Sequence, residues 1–274
     1  MIRPYPSPQH RPFAIGSSRN RALLIHGFPG TPWELRSLAK LLAEQGYEAH
    51  CPLLPGFGPQ IDSLGDRSWQ DWEESVHSAF GRVRSGAAKL LVVGYSMGAA
   101  LAVRLAAHEE VDELVLINPF SGLSLPVKML LPVLAPLVPS YRPFRSANFE
   151  DPWTREVVGR VLPDLDVDDL TSQERLRNEV RLPVRAITQV QRLGSAAWRA
   201  APRVRARTLV FQGVQDKVVS ATRTRRFAGR LGARAQLREA PGGHVLIWPG
   251  KPGHGELVRE LGSFLSDGVL QRSG

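Results

Sequence analysis

Apolar positions in the first 120 residues fall into two alternating rhythms. Short continuous apolar runs ended by glycine or proline are followed by stretches with apolar residues three and four apart, the pattern of buried parallel strands joined by crossover helices. Ala22 to Ile25 reads as a buried strand ending at His26-Gly27. A helix is predicted next, with Thr31 as N-cap, Pro32 at its first position and Glu34 closing a Thr-x-x-Glu capping box. Leu35, Leu38, Ala39 and Leu42 form its apolar face, and Gly46 ends it. Tyr47 to Leu54 reads as a strand closed by Pro55-Gly56-Phe57-Gly58. Ser68 to Arg84 reads as an amphipathic helix with Trp69, Trp72, Val76, Phe80 and Val83 on its core side. Leu90 to Val93, Ala99 to His108 and Glu113 to Asn118 continue as strand, helix and strand.

The rhythm breaks between Pro119 and Arg205, a stretch holding ten prolines, the apolar run Met129 to Val138 and the aspartates Asp164, Asp166, Asp168 and Asp169. It reads as a mostly helical insertion, its aspartates as helix caps and solvated charges. Alternation resumes with strands at Thr208 to Gln212 and Ala235 to Ala240, and helices at Val219 to Leu231 and Glu256 to Leu265. The expected organisation is an extended arm over residues 1–20, an α/β core over 21–118 and 206–274, and a cap over 119–205.

Composition narrows the class. With 43% hydrophobic and 22% charged residues, the chain is neither disordered nor fibrous. A single cysteine, Cys51, excludes an intramolecular disulfide framework and a cysteine-rich zinc site, and makes the cytoplasm the expected compartment. Pro4, Pro6, Pro8 and Pro12 interrupt the place where a secretory signal would need an apolar run. Met129 to Val138 is cut by Pro132 and Pro136 and is too short to span a bilayer, so a soluble protein with no transmembrane segment is expected. The net charge of +9 predicts at most a weak attraction to anionic surfaces. Arginine is dense at Arg203 to Arg207 and Arg223 to Arg238, but no nucleic-acid module accompanies it, so nucleic acid is not an expected partner.

The chemistry centres on Gly94-Tyr-Ser-Met-Gly98, a G-x-S-x-G pattern with Ser96 at its middle. A serine on a sharp strand-to-helix turn has a strained backbone and a protruding hydroxyl, and small residues two positions away avoid a clash. The spacing alone is a weak signal; the apolar strand before it and the alanine-rich helix after it give it weight. A serine hydroxyl needs a base, and the base needs an orienting group. Asp216 directly follows one later strand, and His244, in Pro241-Gly-Gly-His, directly follows the next. His254 stands at the entry to the last helix and reads as a surface residue; Asn118 lacks the charge to stabilise an imidazolium. For the oxyanion, Met97 offers one backbone N–H, and in His26-Gly-Phe-Pro-Gly30 Phe28 offers the other, since Pro29 has none. His26 itself reads as a brace for this loop.

These segments together resemble the α/β-hydrolase superfamily, in its carboxylesterase and monoacylglycerol-lipase branch. The likeness runs through the His-Gly-Phe loop, the Pro-Leu-Leu-Pro-Gly-Phe-Gly turn, Trp69-Gln-Asp-Trp72, Gly-Tyr-Ser-Met-Gly and the Asp216 and His244 loops. The resemblance implies an eight-stranded, mostly parallel sheet flanked by helices, a cap over the site, and no cofactor or metal. One departure is Phe57, where the related turn usually carries histidine after its first glycine. A serine at the elbow argues against haloalkane dehalogenases and epoxide hydrolases, which use an aspartate.

The expected activity is hydrolysis of small carboxylic esters with short-to-medium acyl chains by Ser96, His244 and Asp216, without cofactor. Phe57, Met129, Leu130 and Leu134 are candidate substrate contacts, the last three from an apolar run suited to walling an acyl slot. Two alternatives remain open: a thioesterase acting on acyl-CoA or an acyl carrier, and a catalytically silent lipid-binding protein of the same fold. The oligomeric state is open as well.

Overall fold

A computed structural model of the chain describes Tyr5 and residues 7–123, 129–130, 137–162 and 165–270. Its sheet contains β1 (Phe13–Ile15), β2 (Asn20–Ile25), β3 (Glu48–Cys51), β4 (Lys89–Tyr95) and β5 (Glu113–Ile117). After a small antiparallel pair, β6 (Ser140–Tyr141) and β7 (Leu182–Pro183), the sheet is completed by β8 (Arg207–Gly213) and β9 (Ala235–Ala240). The order is β1-β3-β2-β4-β5-β8-β9, parallel except for β1, which runs antiparallel to β3.

The sheet thus has seven strands among the described residues, where eight were expected. Only the three-residue β1 precedes β2, inside the segment read as an extended arm. So short a strand leaves no periodicity to detect, and its place is fixed by pairing with β3, not by its own pattern.

Alternate residues of the central strands feed opposite faces, as a period of two requires. Leu23, Ile25, Leu90, Val92, Leu114, Leu116 and Val210 point into one cluster. Ala22, Leu24, Leu91, Val93, Val115, Ile117, Leu209 and Phe211 point into the other. Helices α1 (Arg36–Glu44), α2 (Trp69–Arg84) and α3 (Met97–Ala106) follow in the first half of the chain. The second half contributes α4 (Pro152–Val161), α5 (Leu170–Glu179), α6 (Val184–Ala200), α7 (Ala221–Leu231) and α8 (His254–Leu270). The face covered by α2, α3, α6 and α7 buries Trp72, Leu101, Leu193 and Phe227; the other, covered by α1 and α8, buries Leu38, Leu42, Leu257 and Leu261. With both faces covered, every residue of β4 and β5 is buried.

Helix α2 starts at a capping box in which Ser68 Oγ accepts from the Asp71 N–H at 3.2 Å and Asp71 accepts from the Ser68 N–H at 2.7 Å. The capping box expected at Thr31 does not form. Pro32–Leu35 is a 3-10 turn, and the Thr31 side chain makes no cap bond. Thr31 Oγ1 instead meets His10 Nδ1 at 2.9 Å, and Glu34 accepts from the Gly27 N–H at 3.2 Å. Thr31 is taken by a partner 21 residues away and Glu34 by the loop before the turn, neither of which the capping pattern anticipates.

Within residues 119–205, Phe144, Phe149, Val158, Leu162 and Leu176 form a separate small core between α4 and α5. Asp151 and Asp169 cap these two helices. Asp168 pairs with Arg155. Helix α6, in the same stretch, packs Ala186, Val190, Leu193 and Ala197 into the main core. No described helix is long and apolar enough to cross a membrane.

Candidate active site

Ser96 occupies the turn between β4 and α3 with φ 54° and ψ −116°. A non-glycine residue in this region stores strain of about 1–3 kcal/mol, kept only where the surroundings over-determine it. Here the Ser96 N–H donates to Ile117 O at 2.9 Å, and the Phe120 N–H donates to Ser96 O at 3.1 Å, tying the turn to the end of β5. The flanking glycines are steric requirements. A Cβ at Gly94 would press on the α3 backbone at Gly98 and Ala99, and one at Gly98 would overlap the carbonyls of Ile25 and His26. Ser96 is buried at this turn and is not a projecting surface residue.

Two loops bring the partners. His244 Nε2 lies 3.1 Å from Ser96 Oγ, and its Nδ1–H donates to Asp216 Oδ2 at 2.7 Å. The second carboxylate oxygen of Asp216 accepts the N–H groups of Val218 at 2.7 Å and Val219 at 2.8 Å. Those bonds fix the carboxylate, whose side chain is 0% exposed, with one oxygen aimed at the imidazole. Bonded so, His244 is held in the tautomer that presents an Nε2 lone pair to the serine.

Asn118, which lacks the charge of a triad acid, ties the end of β5 to the end of β8 and to the His244 loop. It adopts φ 45° directly after β5. Its Nδ2 donates to His244 O at 2.9 Å and Gly243 O at 3.3 Å, and its Oδ1 accepts from the Gly213 N–H at 2.9 Å. Tyr95, beside the serine, donates its hydroxyl to the same His244 carbonyl at 2.9 Å. The available signal was an asparagine, tolerant of positive φ, at the end of an apolar strand.

Met97 is the first residue of α3, so its N–H lacks an intrahelical acceptor. The Phe28 loop is braced from several sides. His26 is fully buried; its Nδ1–H donates to Gly27 O at 2.9 Å and its Nε2 accepts from the Leu54 N–H at 3.2 Å. Burial lowers its pKa to about 4, so the ring is neutral and serves as a brace. Tyr5, from the N-terminal segment, donates to Pro29 O at 2.7 Å. Burial raises the Tyr5 phenol and the Cys51 thiol, and the nearby Glu34 carboxylate raises both further.

A cavity of about 1010 Å³ opens beside His244, Phe28 and Tyr95 and extends to Phe144, Val157 and Val180. The described ones among the expected substrate contacts lie elsewhere. Phe57 is fully buried with its ring edge-on to His26, Phe28 and Trp72, so it backs Phe28 and does not line this cavity. Met129 and Leu130 are 68% and 56% exposed and do not line it; Leu134 lies outside the described residues. An apolar run shows that side chains avoid water in sum, not which wall they form. His254, expected at the surface, is half-buried, with Nδ1 bonding Leu246 O at 3.1 Å. Among the described residues no three His, Cys, Asp or Glu side chains converge as a metal ion would require.

A profile of the family described as serine aminopeptidase, S33, matches residues 16–246, the span that carries the elbow and both partner loops. The chain belongs to this family. Its fold is the α/β-hydrolase fold, and the S33 chain is similar to lipases and esterases. It is 27% identical over 209 residues to a thermostable monoacylglycerol lipase of Bacillus sp. (strain H-257), covering 76% of this chain and 75% of that one. It is 27% identical over 128 residues to a carboxylesterase of Bacillus subtilis (strain 168), covering 46% of each. A solved structure of a metagenome-derived lipolytic enzyme superposes with a TM-score of 0.72 at 22% identity, over 94% of this chain and 98% of that one, a likeness of fold.

Proposed function

We propose that this S33-family hydrolase cleaves carboxylic esters with short-to-medium acyl chains through Ser96, His244 and Asp216. The observation that carries the reading is the unbroken line from Asp216 Oδ2 through both ring nitrogens of His244 to Ser96 Oγ, at 2.7 Å and 3.1 Å. As Ser96 Oγ bonds to the ester carbonyl carbon, its proton passes to His244 Nε2 and the carbonyl π pair moves onto oxygen. The Phe28 and Met97 N–H groups receive that oxyanion, a task in which losing one donor costs about 10²–10³ in rate. Collapse expels the alcohol, which takes the proton from His244. Water then attacks the acyl-enzyme, giving its proton to the same nitrogen; collapse breaks the acyl–Oγ bond, Ser96 Oγ takes the proton back from His244, and the carboxylic acid leaves.

Asp216, buried and doubly bonded by backbone N–H groups, holds the ring and stabilises the transient imidazolium. The cavity beside Phe28 accommodates the acyl chain. A fluorophosphonate tests the assignment: intact protein gains one adduct that peptide mapping places on Ser96. The Ser96→Ala protein takes up none and loses about 10⁴–10⁶ in ester turnover. Turnover above about a tenth of the wild-type level in that variant refutes the reading.

A further inference from the structure

The loop from His26 to Thr31 contains no strand or helix, so its shape depends on what its backbone groups bond to. Side-chain anchors reach it at both ends, His26 toward Leu54 and Tyr5 onto Pro29. Between them a third bond runs from the Gly27 N–H to Glu34 Oε2, at 3.2 Å. This bond lies close to the nucleophile. A Cβ placed on Gly27 would stand 3.3 Å from Ser96 Cβ and 3.2 Å from the Tyr95 ring, so the Gly27 backbone lies directly against the serine turn. The loop is also folded around the carboxylate, because a side chain at Gly30 would overlap the Glu34 carboxyl group. Glu34 itself is held in the 3-10 turn Pro32–Leu35, whose Leu35 is fully buried.

The peptide unit bearing the Phe28 N–H is planar; its own carbonyl, Gly27 O, accepts from His26 Nδ1–H at 2.9 Å, and it joins the preceding unit at the Gly27 Cα. Glycine is the freest residue at such a joint, so the His26 bond on one side of it and the Glu34 bond on the other together limit how the Phe28 N–H can turn. We propose that Glu34 is a positioning residue for ester hydrolysis: by accepting the Gly27 N–H while His26 holds the Gly27 carbonyl, its carboxylate completes the clamp that sets the direction in which the Phe28 N–H meets the oxyanion beside Ser96. This rests on the function proposed above. Glu34 touches none of the reacting atoms. Its contribution is that of an acceptor, not of a charge, since a negative charge near a developing oxyanion opposes it.

The test uses the full-length protein and three variants, Glu34→Ala, Glu34→Asp and Glu34→Gln, assayed on a p-nitrophenyl ester. Glutamine keeps an acceptor oxygen at the same reach and stays within about threefold of wild-type kcat, while alanine and the shorter aspartate lose about 10–100-fold, with KM nearly unchanged. The affinity of an alkyl boronic acid, whose serine adduct is tetrahedral, falls in step with kcat. A merely structural role moves neither the boronate affinity nor the order of the variants. If alanine impairs folding, aspartate and glutamine decide the matter. Wild-type kcat in both Glu34→Ala and Glu34→Asp, or a glutamine variant as slow as alanine, overturns the proposal. Failure of the ester-hydrolase reading is recognised separately, by the absence of a fluorophosphonate adduct on wild-type Ser96.

Discussion

His26 makes the fold sensitive to mild acid, and the size of the effect follows from its surroundings. Both ring nitrogens are used in the neutral form, Nδ1–H as donor to Gly27 O and Nε2 as acceptor from the Leu54 N–H. A second proton would set Nε2–H against that N–H inside a fully buried pocket. Burial accordingly holds the pKa at about 4, against an ordinary value of 6.5. Between these two values the unfolded chain carries a proton on this ring that the folded chain does not. More protons are then bound in the unfolded state, so stability rises with pH through the window and is lost as pH falls. Going from pH 7 to pH 5, the loss from this one residue is about 2 kcal/mol. Urea unfolding of the wild type and of His26→Gln at both pH values isolates it, because glutamine does not titrate and the other groups cancel in the difference. The wild type is expected to lose about 2 kcal/mol more than the variant over that interval; equal losses within about 0.5 kcal/mol refute the argument.

Other outcomes follow from the same structure. Asn118→Asp removes the donor to the carbonyls of Gly243 and His244 while keeping the side-chain shape, and kcat should fall by about 10–100-fold, as expected when a base is misplaced by about 1 Å; steady-state kinetics with circular dichroism as a fold control checks it. Phe57→Ala empties a fully buried site against three aromatic rings and should cost about 3–5 kcal/mol in a denaturant titration. Val157→Trp places bulk in the cavity wall and should shorten the preferred acyl chain in a p-nitrophenyl ester series while leaving acetate hydrolysis nearly unchanged. Met129→Trp, on an exposed side chain outside that wall, should leave the chain-length profile as it was.

Some of this architecture was legible because its causes are local. Gly94 and Gly98 are forced by backbone contacts within one turn and with the neighbouring strand, so their spacing is visible in the sequence around Ser96. Asp216 and His244 stood out because each lies in the loop directly after a strand, β8 or β9, and parallel strands deliver their following loops to one edge of the sheet. What escaped depends on partners outside the local pattern. Thr31 and Glu34 have the composition of a capping box, but Thr31 bonds His10 and Glu34 bonds Gly27. The cavity wall at Phe144, Val157 and Val180 comes from segments whose apolar residues are scattered, whereas the conspicuous run begins at the exposed Met129 and Leu130.

The amide of Asn118 also bears on how the protein comes apart. One side chain joins the last residue of β8, through the Gly213 N–H, to the loop after β9, through the Gly243 and His244 carbonyls, while the Asn118 N–H itself donates to Phe211 O at 2.8 Å. Because these bonds share one buried residue, the amide hydrogens of Gly213 and Asn118 are expected to exchange with a common opening free energy in a native-state deuterium exchange experiment. Two segments that approach each other only through the tertiary fold therefore behave, toward solvent deuterium, as a single piece of chain.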